Sequence, residues 1–384
     1  MPNNRIFYAS QGVAISAPDP GTTSTKGVAS ATSFMHGVQS VGITTNFNLE
    51  QAFELGQIQI YENIEGMPDI EVTCEKVLDG YPLLYTTATR GAGSAQLTAN
   101  NSLVNRSAEK CTVSVGIYSD TKDVLNNSNH TAEVYMSGMF INNVSYTIPT
   151  EGNCTESVTF VGNDKSWQST AKYLTQSVLN TDDIEDTSDN TGKDKPKNNQ
   201  SGTFKGGIQR RENVAMGSCI IPASVIRAAD PNHPAISTIS TGYGNNGTTG
   251  GNPTAHIQNI SISTDFGRED INELGRKGPY FRAANFPIEV TCEIEVIATD
   301  GDFVQAYREG DPSNDGTVNE GNNTPEETIV IGLQDGTFFD LGTKNRLASV
   351  SYGGGDAGGG NATMTFSYTT FNELRVTPPN GGAS

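Results

Sequence analysis

Apolar and polar residues alternate along several segments of the chain with the two-residue period of a β-strand. The clearest segments are residues 111–118, 143–148 and 362–368, which together are rich in Val, Ile, Thr and Tyr. Such alternation gives a strand one apolar face for a core and one polar face for water. The pattern therefore predicts half-buried antiparallel strands and a mainly β chain.

Two short segments carry a helical signal instead. Asn48 can cap residues 49–55, which end before Gly56, and residues 268–274 repeat this arrangement before Gly275. Asn and Gly at these places are typical of the beginning and the end of a helix. The predicted fold class is therefore α+β, mainly β, with one short helix in each half of the chain.

The sequence contains a long internal repeat. Residues 70–75 recur unchanged as residues 288–293, and residues 38–47 align with residues 257–266. The two matches keep one register if Asp69 is a single insertion in the first copy. A repeat of this length exceeds the period of solenoids and propellers. It therefore predicts two whole domains joined in tandem.

The repeat also defines the expected domains. We expect one domain over residues 1–165, a polar acidic linker or inserted loop over residues 166–212, and a second domain over residues 213–384. The middle segment has few apolar residues, as is typical of a solvated linker. The match resumes near the ends of the copies, where residues 152–155 parallel residues 360–363. Each domain is long enough to bury a core of its own.

Cysteine usage and the N-terminus bear on the compartment. The five cysteines lack Cys-x-x-Cys spacing, and several fall within predicted strands. We therefore expect them to be reduced and buried, without disulfides. Residues 1–5 do not begin a secretion signal, and no apolar stretch is long enough to cross a bilayer. These features predict assembly in a cytoplasm without stable membrane insertion.

Several motifs follow one another in a defined order. A strand ends at residues 46–48, a short helix ends with residues 54–56, and Tyr61 and Pro68 precede the strand at residues 70–75. In this order the sequence resembles the tail-tube proteins of tailed bacteriophages, a family related in fold to the tubes of contractile injection and type VI secretion systems. The segments similar to that family's closing strands are residues 145–149, 152–158 and 161–167, and residues 351–356 depart from the pattern in the second copy.

This resemblance implies that each copy is a tube domain, built as an antiparallel β-sandwich or barrel. In that family, tube domains form stacked six-membered rings whose sheets join into one inner barrel around a channel for DNA. Two domains in one chain would then give a homotrimeric ring with pseudo-sixfold symmetry. Closing the ring would also pair the edge N–H and C=O groups that a lone sheet leaves unpaired.

The function that the resemblance implies is structural. The chain would be a self-assembling tail-tube subunit of the virion, and genomic DNA would pass through the tube during ejection without tight binding. Tape-measure protein would be a partner, and sheath, baseplate and terminator proteins are further candidates. A virion decoration or baseplate accessory protein and a virion-associated hydrolase are the alternatives.

Charge agrees with a conduit for DNA. The chain has 24 basic and 43 acidic residues, for a net charge of −19, which is opposite to what a phosphate-binding protein carries. An acidic wall repels the duplex within about 8 Å at physiological salt. In the repeated hexapeptide, Glu71 and Glu75 share one strand face, as do Glu289 and Glu293. We predict that these four residues face the lumen, and an outer or intersubunit polar face remains the alternative.

Residues with the potential for catalysis or metal binding do not form a recognised signature. His36 and His256 stand before matching strands without companion ligands, so a structural role is expected. Residues 311–316 resemble a calcium loop, but Asn322 replaces the bidentate Glu at position twelve. The glycine-rich residues 353–360 lack the Gly-Lys-Ser/Thr ending of a phosphate loop. We therefore predict no enzymatic activity, no catalytic residue, no metal and no cofactor.

Overall fold

The computed structural model describes the chain in several stretches. Within them the chain is mainly β, with large antiparallel sheets and few short helices, which confirms the predicted fold class. The described helices include α1 Leu84–Ala88 and α2 Leu103–Ser107. The described residues are 6, 8–16, 32–89, 102–118, 130–169, 207–222, 224–226, 256–299, 301, 304, 326–355 and 360–379.

The strands fall into two groups along the chain. Those of the first half are β1 Gln11–Ser16, β2 Thr32–Phe34, β3 Val38–Asn46, β4 Leu49–Phe53, β5 Ile60–Glu65, β6 Asp69–Val77, β7 Cys111–Ile117, β8 Ala132–Pro149, β9 Thr155–Gly162 and β10 Ser166–Gln168. Those of the second half are β11 Ile257–Asp265, β12 Glu269–Ile271, β13 Phe281–Ala283, β14 Glu289–Ile297, β15 Val330–Gly332, β16 Phe338–Asp340, β17 Arg346–Gly353, β18 Thr363–Phe371 and β19 Arg375–Thr377.

Eight strands form one continuous antiparallel sheet, here called the main sheet. Their order is β3, β6, β9, β8, β11, β14, β18 and β17. The long strand β8 is central, because its second half pairs with β9 on one side and with β11 on the other. Its first half pairs with β7 and β10. The main sheet therefore crosses from one half of the chain to the other without a break.

The two ends of the main sheet repeat one strand order. One block consists of β3, β6, β9 and the second half of β8, and the other consists of β11, β14, β18 and β17. Irregularities in the pairing fall at the same places in both blocks, at Gln39 and Gln258 in the first strands and at Asn142 and Ala348 in the last. We call residues with the same place in the two blocks matched positions.

The identical hexapeptides do not occupy matched positions. Val72 pairs with Ile43, whereas Val290 pairs with Thr264, which lies two residues beyond the match of Ile43. The predicted insertion of Asp69 is therefore wrong, because strand pairing, and not sequence identity, sets the register. A shift by two residues keeps each side chain on its original face of the sheet. The alternation of buried and exposed residues is thus the same in both blocks.

The two predicted short helices, residues 49–55 and 268–274, are wrong. These residues contribute to two hairpins, in which β4 pairs with β5 and β12 pairs with β13 in the same register. We call the β4–β5 hairpin arm 1 and the β12–β13 hairpin arm 2. Arm 1 joins β3 to β6, and arm 2 joins β11 to β14. Both arms therefore leave the main sheet at the same place in the two blocks.

The residues interpreted as helix caps instead form turns. Asn48 and Gly267 have φ values of 48° and 51°, and their N–H groups donate hydrogen bonds to the side chains of Asn46 and Asp265. Gly56, with a φ of 94°, lies in the turn at the tip of arm 1. Asn, Asp and Gly serve turns as readily as caps. Cap residues alone therefore could not separate a hairpin from a short helix.

A second layer covers the apolar face of the main sheet. Tyr146 in β8 packs against Phe339 in β16, with ring centroids 4.4 Å apart. At the start of α1, Leu84 N and Tyr85 N donate to the Glu156 carboxylate in β9 at 2.7 and 3.0 Å. The sheet β15–β16–β19 and helix α1 thus pack on the same side. Buried hydrophobic residues from both layers form one contiguous core.

The remaining predictions have different outcomes. All five cysteines are free and buried, as expected. None of the described helices is long and apolar enough to cross a membrane. Of the predicted linker, β10 pairs with β8, and Gln209 N donates to Leu78 O at 2.7 Å. Residues 170–206 lie outside the described residues, and the domain boundaries stay predictions. The calcium-like loop at residues 311–316, its Asn322, and residues 356–359 of the glycine-rich segment also lie outside them.

Candidate assembly interface

The four glutamates predicted to face a lumen lie on an exposed face of the main sheet. Glu71, Glu75, Glu289 and Glu293 are all exposed. Residues that alternate with them, such as Val72, are buried in the core. The structure therefore brings the four carboxylates to the polar side of the sheet, opposite the second layer.

Cross-strand pairing puts both pairs of glutamates on one side. Directly paired side chains project from the same face of a sheet. A row of direct pairs links the two blocks, and Thr291 at its end lies between Glu289 and Glu293 on one strand face. The row consists of Glu75, Ser157, Ser145, Ser263 and Thr291.

Carboxylates and hydroxyl groups dominate this polar face. Asp69, Asp265 and Glu295 add further carboxylates, and the direct partner of Glu295 in β18 is Thr365. Within the eight strands of the main sheet, Arg346 is the one basic residue on this face, because Lys76 points into the core. The face therefore repels a polyanion and offers few contacts for phosphate groups.

The opposite face buries a polar network in the first block. Lys76 Nζ donates to Asp79 Oδ1 and to His36 O, each at 2.6 Å. Tyr146 Oη donates to Glu156 Oε1 at 3.1 Å. Burial raises the pKa of Glu156, although its hydrogen bonds oppose the shift. The side chains of Lys76, Tyr146 and Glu156 are buried in the core, where the hydrogen bond from Tyr146 to Glu156 joins β8 to β9.

A shallow depression lies on the polar face where the two blocks meet. It has a volume of about 450 Å³, and Asp265 and Glu289 are its ionisable residues. His36 stacks on Tyr81 with ring centroids 4.2 Å apart, and His256 is exposed before β11. Among the described residues, no three His, Cys, Asp or Glu side chains are arranged to hold a metal.

Both arms expose large apolar side chains. In arm 1, Leu49, Phe53, Leu55 and Ile58 are exposed. In arm 2, the exposed apolar residues include Leu274. An exposed group of apolar side chains on a protruding hairpin is typical of an interaction site. The arms are therefore candidates for contacts with another protein chain.

The inner junction is the contact between β8 and β11, where the two blocks meet. Tyr146 pairs with Ile262 on the core side, and both side chains are buried. Ser145 pairs with Ser263 on the polar side. The pairing satisfies the backbone groups of both strands, so neither strand is an edge here.

Arm 2 also packs against the first block at the inner junction. Arg268 Nε donates to a backbone carbonyl of β8 at 2.8 Å, and its guanidinium lies 4.9 Å from the centre of the Phe140 ring. Phe281 meets Phe140 edge-on, with ring centroids 5.9 Å apart. Arg282 Nη2 binds Asp69 Oδ1 at 3.2 Å. Burial and the nearby Arg282 lower the pKa of Arg268 to about 10, so it stays charged at neutral pH.

The two outer edges of the main sheet match the strands of the inner junction. Among the described residues, β3 pairs only with β6 and β17 pairs only with β18. Tyr352 in β17 is 62% exposed, whereas the matched Tyr146 is 1% exposed. Phe47 after β3 is 61% exposed, whereas the matched Phe266 is 1% exposed. The outer edges therefore expose apolar groups that the inner junction buries.

Sequence reasoning placed the glutamates on one strand face, but it missed the arms and did not identify which strands form the edges. Residues 49–54 place apolar side chains at positions 49, 52 and 53, which is a helical spacing and not the alternation of a strand, so the local pattern did not indicate arm 1. The match of β8 with β17 had a weak signal, because the only identical residues are the three at 144–146 and 350–352, within a divergent stretch. So short a match cannot establish that β8 and β17 correspond until the strand order is known.

Comparisons with known proteins give no close relative. No protein-family model matches the chain, and no curated protein matches it. Solved structures with a similar part include a chain of the PVC sheath-tube complex of an extracellular contractile injection system in the extended state. That likeness has 10% identity and a TM-score of 0.29, and it covers 44% of this chain and 93% of that chain.

Two further similar chains come from structures of the anti-feeding prophage. The chain from its baseplate has 7% identity and a TM-score of 0.29, with coverage of 43% of this chain and 97% of that chain. The chain from its tube-terminating cap has 10% identity and a TM-score of 0.28, with coverage of 43% and 91%. At these TM-scores the likenesses carry no functional weight, and function must be inferred from the chain's own surfaces.

Proposed function

We propose that this chain is a structural subunit of a bacteriophage tail tube, and that β17 of one chain pairs with β3 of the next to close a ring. The observation that supports this most directly is the match between the outer edges and the inner junction. Because β17 matches β8 and β3 matches β11, the next chain can continue the main sheet as the second block continues the first.

The pairing at the inner junction supports one particular register between chains. At the inner junction Ser145 lies opposite Ser263. Their matched positions are Ser351 and Thr44, so Ser351 of one chain would lie opposite Thr44 of the next. This register places exposed polar residues together on the polar face. It also places Tyr352 opposite Ile43 on the core side, where each would cover the other. Such pairing would remove both edges and the aggregation hazard that they carry.

The number of chains follows from the resemblance to six-membered tube rings. If residues 1–165 and 213–384 are two tube domains, three chains supply six positions around the ring. Glu71, Glu75, Glu289 and Glu293 would then face the lumen, because the second layer occupies the other side of the sheet. An acidic lumen would conduct DNA during ejection without holding it.

The other roles in this proposal come from the resemblance. The tube would stand in the tail of the virion and would contact a tape-measure protein, with sheath, baseplate and terminator proteins as further candidate partners. A tube subunit does its work by assembly, so no catalytic residue or cofactor is part of the proposal. A decoration or baseplate accessory protein would leave β3 and β17 unpaired with another copy of the chain.

Disulfide trapping tests this ring directly. The double variant Thr44→Cys and Ser351→Cys places two thiols at the proposed contact between chains, and the five native cysteines are buried and do not compete. We expect oxidation of the assembled protein to give covalent dimers and trimers on a non-reducing gel, with the series ending at the trimer. Each single variant should not form this series.

The inner junction supplies the matched control. The double variant Ser145→Cys and Ser263→Cys has the same geometry within one chain, and it should form a disulfide within the monomer. A series that continues to six chains would contradict the trimeric ring. A disulfide in the control, without any between chains for Thr44→Cys and Ser351→Cys, would contradict the edge pairing itself.

A further inference from the structure

A ring would have two kinds of junction, the inner junction and an outer junction in which β17 pairs with β3 of the next chain. The two arms differ in what they would contribute to these junctions, and this inference rests on the proposed ring closure. In the inner junction, Phe281 of arm 2 packs edge-on against Phe140 of β8. Phe281 is 39% exposed, and Phe140 is buried. The aromatic pair therefore holds arm 2 against the first block of the same chain.

The matched positions of these two aromatic residues are both charged. In arm 2, Phe281 pairs with Ile271, and in arm 1 the matched Glu62 pairs with Ala52. The two arms have the same register, so the side chains of Phe281 and Glu62 leave matching faces of their hairpins.

The partner of Phe281 also has a charged counterpart. Phe140 lies on β8 just before the irregularity at Asn142, and Arg346 lies on β17 just before the irregularity at Ala348. Each precedes its irregularity by two residues, and the two irregularities are matched. Where the inner junction has two aromatic rings, the outer edges thus present a carboxylate and a guanidinium.

We propose that Glu62 of one chain forms an ion pair with Arg346 of the next chain, with arm 1 lying on that neighbour as arm 2 lies on its own first block. Both side chains are exposed in the single chain, and the guanidinium of Arg346 is 3.4 Å from Glu326 in the same chain. The two edges that would meet therefore carry opposite charges, and such charge complementarity is typical of specific interfaces.

The neighbouring residues favour this contact. Leu49 matches Arg268, which in arm 2 lies over Phe140. Leu49 would therefore lie beside Arg346 of the next chain and exclude water from one side of the ion pair. Phe47 would occupy the place of the buried Phe266. Partial exclusion of water strengthens a charged pair relative to one that is fully exposed.

The ion pair would give the outer junction a property that the Phe281–Phe140 contact of the inner junction lacks. It would make ring closure sensitive to salt, whereas the aromatic pair of the inner junction is not. It would also discourage incorrect contacts, because Glu62 against Phe140, or Phe281 against Arg346, leaves a charge without its partner. Glu62 and Arg346 are therefore specificity-determining residues for assembly.

Charge reversal tests this proposal. Glu62→Arg and Arg346→Glu should each raise the concentration required for half-maximal assembly by about tenfold or more, because each places like charges together. The double variant should recover most of this loss. Replacing both residues with Phe should also support assembly and should reduce its dependence on salt, since it reproduces the inner junction.

Two controls distinguish loss of the ion pair from loss of ring closure. Glu326→Gln removes the partner of Arg346 in the same chain, so it should leave assembly unchanged. Disulfide trapping with Thr44→Cys and Ser351→Cys, added to each variant, reports edge pairing independently. If the disulfide forms and the single charge reversals assemble like the parent protein, the ion pair is refuted while the ring stands. If no variant, including the parent, forms the disulfide, both proposals are refuted.

Discussion

Strands β8 and β17 hold matched places in the main sheet, yet one is covered on both sides and the other ends the sheet. Tyr146 and Tyr352 show the difference most clearly, since the first is buried beneath Phe339 and paired with Ile262, and the second is exposed. Single exposed apolar residues are ordinary on protein surfaces. Here the exposed Tyr352 has a buried counterpart, Tyr146, in the same chain. The strand that pairs with β8 beside Tyr146 is therefore a guide to the kind of surface that would cover Tyr352.

The cores of the two blocks differ in a second way. The first block buries Lys76 and Glu156, whereas the matched positions hold Val296 and Met364. Glu156 binds the first N–H groups of α1, so the buried carboxylate attaches this helix to the sheet. The sheet itself does not require these polar groups, because the second block forms it with apolar residues.

The largest expected effect is on stability, and it distinguishes the two matched tyrosines. Tyr146→Ala should lower the free energy of unfolding of the single chain by about 3–5 kcal/mol, because it leaves a cavity in the core and removes a hydrogen bond to Glu156. Tyr352→Ala should change it by about 0.5 kcal/mol or less, because the side chain is exposed. Urea unfolding, at protein concentrations too low for assembly, measures the unfolding free energy of both variants.

Tyr352→Ala, which should leave the single chain stable, should instead affect assembly. Tyr352→Ala should weaken ring formation in a folded protein, since it removes the side chain proposed to cover Ile43 of the next chain. Equal losses of unfolding free energy for the two variants would contradict the different surroundings of β8 and β17. Normal rings from Tyr352→Ala would contradict its place in the outer junction.

An intermediate effect concerns the polar core of the first block. Burial raises the pKa of Glu156 in the folded chain above its unfolded value. The folded state therefore binds a proton more readily, so Glu156 contributes stability at low pH, and this contribution is lost as pH rises through the folded pKa. The slope from one such group is at most about 1.4 kcal/mol per pH unit.

The measurement compares the parent protein with Glu156→Gln by urea unfolding across the acidic range. We expect the parent to lose unfolding free energy relative to the variant as pH rises. Asp335 also has a raised pKa, but it is present in both proteins and cancels in the difference. Parallel pH profiles would show that Glu156 titrates alike in the folded and the unfolded chain.

The smallest effect on stability is expected at the polar face. Changing Glu71 or Glu289 to Lys should alter the free energy of unfolding by about 0.5 kcal/mol or less, because both side chains are exposed. If they face the lumen, assembled tubes with both changes should retain short duplex DNA at low salt and release it at high salt. Binding of a labelled duplex to purified tubes measures this effect.

Glu54→Lys in arm 1 provides the matched control for that experiment, because Glu54 is exposed away from the main sheet. This change should not cause retention of DNA inside the tube. DNA binding by the Glu54 variant, without binding by the Glu71 and Glu289 variant, would favour an outer position for the polar face.

The sequence was sufficient for features that depend on local alternation. It predicted strands, the shared face of Glu71 and Glu75, and the burial of the cysteines, because period-two patterns report directly on faces of a sheet. It failed at the arms, where Asn48 and Gly56 have roles in turns as well as in helix caps. Local signals could not decide between the two structures.

Long-range register was beyond sequence reasoning for a different reason. The repeated hexapeptides suggested one alignment, but strand pairing places them two residues out of step, and both alignments keep the same faces. The proposed contact of Glu62 with Arg346 depends on that register and on the two matched irregularities. It has no signal in the sequence, because the two residues come from different strands and different halves of the chain.

The central claim is the pairing of β17 with β3 of the next chain. A cryo-electron microscopy map of the assembled protein, at a resolution that separates strands, tests it most directly. We predict rings of three chains in which Ser351 of one chain lies opposite Thr44 of the next and the glutamates of the polar face line a central channel. Rings of six whole chains, or particles in which β3 and β17 remain free edges, would contradict the account.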